Sequence, residues 1–299
     1  SRAEALAGVH AVVTGEDVKG VLYGRRLRDV PALAWDRARF VGDPVAAVAA
    51  EDADIAQQAL NLIDVEYEEV PAVLDPLEAM RDGAPLIHPD VNDYVGLPKP
   101  LEKPSNVFVR TVWEKGDVEQ GFAQADMIVE GTYTTQMVHQ AYLESHSCLV
   151  WIDDDDRVQV WSSNKSPFAL RQQLSDALGI PLERIRLNHA YIGGDFGGKG
   201  SPLNVPVCYF LALKSGRPVR MALDYVEEFM AANPRHPSII RLKTGVMRDG
   251  TLVAQQSEVI FNSGAYGGFK PGVNLGGAAR VAGPYRIPHV YTTAVQVYT

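Results

Sequence analysis

The chain has 299 residues, enough for one large domain or two ordinary ones, and its 46% hydrophobic content suffices to fill their cores. Against 37 Asp and Glu there are 28 Lys and Arg, a formal charge of −9 with no basic run longer than Arg25-Arg26, which argues against a nucleic-acid surface. No apolar stretch reaches the roughly 20 residues of a membrane helix and no signal segment opens the sequence, so a cytoplasmic location is the expectation; the 2 cysteines, Cys148 and Cys208, read as buried thiols and are too few to hold an iron–sulfur cluster.

In chain order, "GVHAVVTGEDV" predicts a strand followed by a Gly-Glu-Asp turn. A strand is expected at Val45–Ala49, then a helix capped by Asp52 and running to about Leu62, with Ile55, Ala59 and Leu62 as its buried stripe. A further strand is expected at Asp64–Tyr67. Residues 80–106 carry Pro85, Pro89, Pro98, Pro100 and Pro104 among few apolar residues, the composition of an extended surface linker.

"MIVEGTYTTQM" alternates as a strand does, and "CLVWIDDDDRVQVWSS" predicts a hairpin turning at Asp153–Asp156. Those carboxylates lack the alternate spacing, central Gly and terminal Glu of a calcium loop, so they read as a solvated turn. Ser166 at the N-cap, Pro167 at the first helical position, Leu170, Leu174 and Leu178 on one face, and Gly179 as the stop define a helix. A strand from Ile185 leads into the loop "NHAYIGGDFGGKGSP", after which Pro202 is expected to open an apolar helix ending at Gly216. A hairpin with Asp249-Gly250 at its turn follows. The sequence stops inside a last strand-like run, "HVYTTAVQVYT", as if the chain were cut there or continued in another subunit.

A strand, a glycine-rich loop and a helix N-terminus together form a natural anion site, because the loop exposes backbone N–H groups. A tight connection with no ligand fits the same residues. A third reading is the phosphate-binding P-loop: Gly193, Gly198 and Lys199 satisfy GxxxxGK, but Gly200 stands where the Ser or Thr belongs, and Phe196 puts a ring inside the loop.

"GGDFGGK" resembles the GGGFGGK loop of the large, molybdenum-cofactor-binding subunit of the xanthine dehydrogenase and aldehyde oxidase family. "VGDPVAAVAAEDADIAQQALNLIDVEYEEVPAVLDPLEAM" is similar to that family's hammerhead domain, "VWSSNKSPFALRQQLSDALGIPLERIRL" to the segment before its first cofactor loop, and "GPYRIPHVYTTAVQVYT" to the stretch before its next cofactor motif. The fold class that this implies is α/β, more closely α+β. It comprises an α/β hammerhead-like domain over residues 1–79, incomplete at its start, a linker over 80–106, and the first part of a mixed-sheet molybdopterin-binding domain over 107–299.

The resemblance implies hydroxylation of an aldehyde or N-heterocycle with water-derived oxygen, or membership of the carbon monoxide oxidising branch. It implies a molybdenum-molybdopterin cofactor, its cytosine dinucleotide form included. The expected partners are a C-terminal molybdopterin-binding portion, an iron–sulfur subunit and an FAD subunit, which would carry electrons away from a small-molecule substrate. The cofactor-facing residues would be Gly194, Asp195, Phe196, Gly197, Gly198 and Lys165. The catalytic glutamate is expected outside this sequence, and no metal ligands are expected within it. Three departures stand out: Asp195 replaces a glycine, Lys165 stands where many members carry glutamine, and Gly200 stands where purine-oxidising members carry a glutamate; the first two also fit a noncatalytic relative that has lost the cofactor site and serves assembly or binding. Glu144, His146 and His139 invite a reading as base or metal ligands, but their spacing is not HExxH and buried packing roles fit them better.

Overall fold

The computed structural model describes residues 1–268 and 276–299. In chain order its strands are β1 (Val9–Thr14), β2 (Leu22–Tyr23), β3 (Val30–Pro31), β4 (Ala46–Ala50), β5 (Val107–Lys115), β6 (Met127–Thr135), β7 (Ser147–Ile152), β8 (Val158–Ser162), β9 (Ile185–Leu187), β10 (Val219–Ala222), β11 (Ser238–Val246), β12 (Leu252–Gly264) and β13 (His289–Tyr298). The helices are α1 (Ala53–Leu60), α2 (Pro76–Ala79), α3 (Val118–Gln124), α4 (Pro167–Leu178), α5 (Val205–Ser215) and α6 (Tyr225–Ala231). They divide between two units of interleaved chain. The first takes residues 1–25, 30–70 and 139–234, and the second takes 26–29, 71–138 and 235–299.

In the first unit, β1 pairs antiparallel with β4, and β2 with β3. The expected cap of α1 is present: the Asp52 carboxylate accepts the Ile55 N–H at 2.8 Å, satisfying one of the donors that a helix start leaves open. Ala59 turns inward against Ala3 and Val12. The strand expected at Asp64–Tyr67 is absent. Residues 64–70 are exposed and join no sheet, so alternation alone did not make a strand where no neighbouring edge accepts one.

A four-stranded sheet in the order β10-β7-β8-β9 carries the functional loop. β7 and β8 form the expected hairpin, and its turn needs no cation: the Asp153 carboxylate accepts the backbone N–H groups of Asp155 and Arg157 at 3.1 and 2.9 Å. β8 and β9 run parallel, so a crossover must join them, and α4 is that crossover. Its end is set by Gly179 in the left-handed conformation, φ 67°. Leu170 and Leu174 of α4 share one core with Val150, Val160 and Leu211. Each such leucine contributes about 1.5–3 kcal/mol by leaving water.

α5 begins later than its proline suggests. The Pro202 carbonyl accepts the N–H of Val205 in a turn, and Leu203 sits at φ 42°, a left-handed conformation that cannot continue into a right-handed helix. The helix therefore starts at Val205 with Pro206 in its first turn, where a missing N–H costs nothing. Cys148 and Cys208, distant in sequence, meet in this core as free thiols. The neighbouring Cys208 thiol, with burial, pushes the Cys148 thiol well above its usual range.

The second unit is built on a five-stranded sheet in the order β5-β13-β12-β11-β6, in which only β12 and β13 are parallel. Residues 80–106 are mostly irregular, as their prolines dictate, yet buried Asn106 pins them: it donates to the carbonyls of Ala79 and Pro85 and accepts from the Ile87 N–H. The buried Asp29 carboxylate accepts from the Gly267 and Gly268 N–H groups and from the Tyr298 hydroxyl, whose ring stacks on Phe108 at 4.0 Å. Among the described residues no helix is long and apolar enough to cross a membrane.

Candidate cofactor site

The glycine loop leaves β9 and runs without regular structure to the start of α5. All of its contacts described below lie within the first unit. At its centre stands Asp195, which folds back on its own loop. Its carboxylate accepts the Gly197 N–H at 2.9 Å and the Lys199 N–H at 2.6 Å, and its carbonyl accepts the Gly198 N–H at 2.7 Å. The side chain thus organises the turn from within instead of projecting outward.

Phe196 holds the sparsely populated left-handed conformation, φ 42°, and its ring is exposed. Gly197 follows at φ 98°, which only glycine adopts without strain. The glycines then divide by direction. A Cβ on Gly197 would project into open space, whereas one on Gly198 would lie 2.6 Å from the Tyr142 ring, and one on Gly194 would lie 2.8 Å from the Phe196 ring and 3.2 Å from Tyr142. Gly194 and Gly198 seat the loop on its bed, and Gly197 leaves its outer face bare.

Lys165 lies beside this turn. Its Nζ donates to the Asp195 carboxylate at 2.7 Å, and its backbone N–H donates to the Lys199 carbonyl at 3.1 Å. Asn164 completes the splint: its amide donates to the Ser201 carbonyl at 2.9 Å, and its oxygen accepts the Ser166 N–H that starts α4. Burial works to raise the Asp195 pKa, but the ammonium of Lys165 and the Gly197 and Lys199 amides outweigh it and hold the carboxyl below its usual range. Asp195 and Lys165, two of the three expected departures, thus form one ion pair.

Beneath the loop, Glu144 accepts the Gly193 N–H at 2.7 Å and the ammonium of Lys199. Burial opposes ionisation of Glu144, and these two donors more than offset it, leaving its pKa lowered. Lys199 is fully buried, with its Nζ 4.8 Å from the centre of the Tyr142 ring. This overturns the P-loop reading. The lysine that would reach phosphates is committed to a carboxylate below the loop, and the helix begins six positions after it.

Glu228 on α6 is likewise fully buried. It accepts from the Tyr142 hydroxyl at 2.6 Å, from the His146 N–H at 2.6 Å and from His146 Nδ1 at 2.8 Å, and His139 Nε2 stands 3.6 Å away. Burial pushes the Glu228 pKa up, but the hydrogen bonds from His146 and Tyr142 prevail and bring it down to about 2. An ionised carboxylate only accepts, so Nδ1 carries the His146 ring proton. Desolvation, reinforced by the bond to Glu228, pushes the Tyr142 hydroxyl far above its ordinary range, so it remains a donor. Glu144 is thus tied to Gly193 and Lys199, and His146 to Glu228.

Sequence reasoning named the loop and Lys165, and the structure brings these together. It missed Tyr142 and Glu228. In "DYVEEFMA" the periodicity presents Glu228 as one more polar helix residue, and no local signal marks it as buried.

The loop fits an anionic, oxo-rich cofactor on its own geometry. Its outer face is bare at Gly197, the amides of Gly194 and Asp195 have no protein partner among the described residues, and the one carboxylate is turned inward and paired. Comparison with known proteins agrees. The chain matches the model of the molybdopterin cofactor-binding domain over residues 99–299 and that of the aldehyde oxidase and xanthine dehydrogenase a/b hammerhead domain over residues 1–71. It is 33% identical over 303 residues to the nicotinate dehydrogenase large molybdopterin subunit of Eubacterium barkeri, covering 100% of this chain and 67% of that protein. It is 31% identical over 310 residues to the xanthine dehydrogenase molybdenum-binding subunit of Escherichia coli O157:H7, covering 100% of this chain and 39% of that one. Its fold superposes on the aldehyde oxidoreductase of Desulfovibrio gigas with a TM-score of 0.90 at 26% identity, over 100% of this chain and 33% of the other. The chain thus spans between a third and two thirds of these proteins. With both of its regions matched in order, it belongs to the aldehyde oxidase and xanthine dehydrogenase family, as the hammerhead region and part of the molybdopterin cofactor-binding region of a large subunit.

Proposed function

We propose that this chain supplies one wall of the molybdenum site of a hydroxylase acting on an aldehyde or N-heterocycle. The backbone of Gly194–Gly198 would lie against the cofactor, with Lys165 at its edge. When bound, the molybdenum-molybdopterin group supplies a two-electron sink for replacing a C–H bond by a C–O bond with oxygen from water, releasing two protons and two electrons. The chain's own contribution is positional. Its bare glycine backbone permits close approach, and its amides offer donors to oxo or phosphate oxygens without reorganisation.

The observation that carries this reading is the Lys165–Asp195 pair. An unpaired carboxylate in the third glycine's place would repel an anionic cofactor, whereas here the charge is balanced within the loop. That balance speaks against a degenerate, noncatalytic site. Gly200 has space beside it, with only the Lys165 Cε 3.7 Å from a would-be Cβ, and the missing carboxylate there favours a substrate other than a purine.

The base, the second half of the cofactor shell, and iron–sulfur and FAD partners would come from outside this sequence, in a cytoplasmic complex. The cytosine dinucleotide form of the pterin suits the same glycine backbone. The functional division is kept at residues 1–79, 80–106 and 107–299; the family matches end at 71 and begin at 99, which leaves 72–98 between them.

Molybdenum and pterin analysis of the full-length protein purified with its partners tests the proposal. Stoichiometric metal and pterin are expected, with both lost in Gly197→Val. Absence of both from the wild-type complex, or tight magnesium-dependent ATP binding in their place, overturns it.

A further inference from the structure

Besides the Asn164–Lys165 splint, the glycine loop is held by residues 140–146, which in turn are suspended from α6 and its flanks. The Ser145 hydroxyl donates to the Leu223 carbonyl at 2.7 Å, the Leu223 N–H donates to the His146 carbonyl at 2.9 Å, the Gln140 amide donates to the Asn233 carbonyl at 3.2 Å, and the Tyr225 hydroxyl donates to the Leu143 carbonyl. Glu228 sits at the middle of this suspension and binds the segment at three points, the Tyr142 hydroxyl, the His146 backbone N–H and the His146 ring.

Tyr142 is the contact that transmits position. Its ring faces Gly198 and its Cβ faces Gly194, and the ring lies under the Lys199 ammonium. The segment that presents it is not locally stable, since Ala141 is held at φ 51°, a conformation unfavourable for any residue with a Cβ. Something beyond the segment must hold it there, and the buried carboxylate does so through charge-assisted bonds, roughly twice as strong as neutral ones.

We propose that Glu228 is a positioning residue for the cofactor loop: by fixing Tyr142 and His146 it sets the height and rigidity of the Gly194–Gly198 backbone. This rests on the reading that the loop lies against the molybdopterin cofactor. Glu228 acts on the loop through Tyr142 and His146. Neighbours on α6 join the same suspension: the Tyr225 hydroxyl reaches the Leu143 carbonyl, and the Phe229 ring lies 4.5 Å from that of His139.

The test uses the full-length protein with its partners, as wild type, Glu228→Gln, Glu228→Ala and Tyr142→Phe. Tyr142→Phe keeps the ring and removes only the hydroxyl, so it remains informative if Glu228→Ala fails to fold. Amide hydrogen exchange of the peptide spanning 190–200 is compared with that of β1 and β4, and molybdenum content is measured on the same samples. Loss of a hydrogen bond to a charged group should speed exchange of the loop peptide roughly tenfold or more in Glu228→Ala and Tyr142→Phe, less in Glu228→Gln, with β1 and β4 unchanged. Molybdenum retention should fall in the same order. Unchanged loop exchange in a folded variant overturns the positioning role, whether or not metal is present. Faster exchange with undiminished molybdenum overturns its relevance to the cofactor. Wild-type protein devoid of molybdenum instead counts against the reading of the site, and the exchange result still decides whether Glu228 holds the loop.

Discussion

Lys165 Nζ donates to the Asp195 carboxylate across 2.7 Å, joining two residues 30 positions apart into one neutral pair at the edge of the glycine loop. Each offsets the other's charge. The loop can therefore carry a carboxylate without presenting net negative charge to an anionic ligand.

Reversing one half of that pair is the direct test. Lys165→Glu places two carboxylates together and should sharply lower molybdenum content in the assembled protein, while Lys165→Gln, which can still donate to Asp195, should retain most of it. Metal analysis of both variants beside the wild type checks this. Equal content in all three would make the pair a surface ornament.

Gly198→Ala should destabilise the loop more than its single methyl suggests. The added carbon would stand 2.6 Å from the Tyr142 ring, which Glu228 holds from behind, so neither side can yield freely. Overpacking of this kind costs about 1–3 kcal/mol. Urea unfolding should show that loss, and molybdenum content should fall alongside it.

Glu228 makes stability depend on pH with a definite sign. Its pKa is lowered from 4.5 to about 2 in the folded chain, so the unfolded chain takes up the proton first as pH falls. The stabilisation is complete above about pH 4.5 and is lost between there and about pH 2. Glu228→Gln should be less stable than wild type at neutral pH, with the gap closing across that acid window. Denaturant unfolding at a series of pH values measures it, and parallel curves for the two proteins would contradict the assignment.

The buried thiols make a simpler prediction. Cys148 and Cys208 are almost wholly enclosed, so a reagent reaches neither in the native chain, and Cys148 is also held in its protonated form. A thiol reagent should label the native protein only at the rate of unfolding, and labelling should become rapid in denaturant. Fast labelling under native conditions would show that the core between β7 and α5 opens locally.

What was legible in the sequence was whatever neighbouring residues settle among themselves. Asp52 caps α1, and Pro167 and Gly179 bracket α4. The alternation in "CLVWI" and "VQVWS" makes the β7–β8 hairpin, and the glycines between Gly193 and Gly200 announce a loop that must approach something closely. Tertiary structure decided wherever the deciding partner is far along the chain. Asp64–Tyr67 alternates but finds no edge to pair with, and Lys199 completes a phosphate-binding pattern but spends its charge on Glu144, 55 residues away. Glu228 on α6 is fully buried because Tyr142 and His146, 86 and 82 positions earlier, supply the donors that an ionised carboxylate needs there. Periodicity and spacing report local geometry, so they locate the loop and its helices. The charges of Lys165, Asp195, Lys199 and Glu228 interact through space, so only the folded chain assigns each its partner.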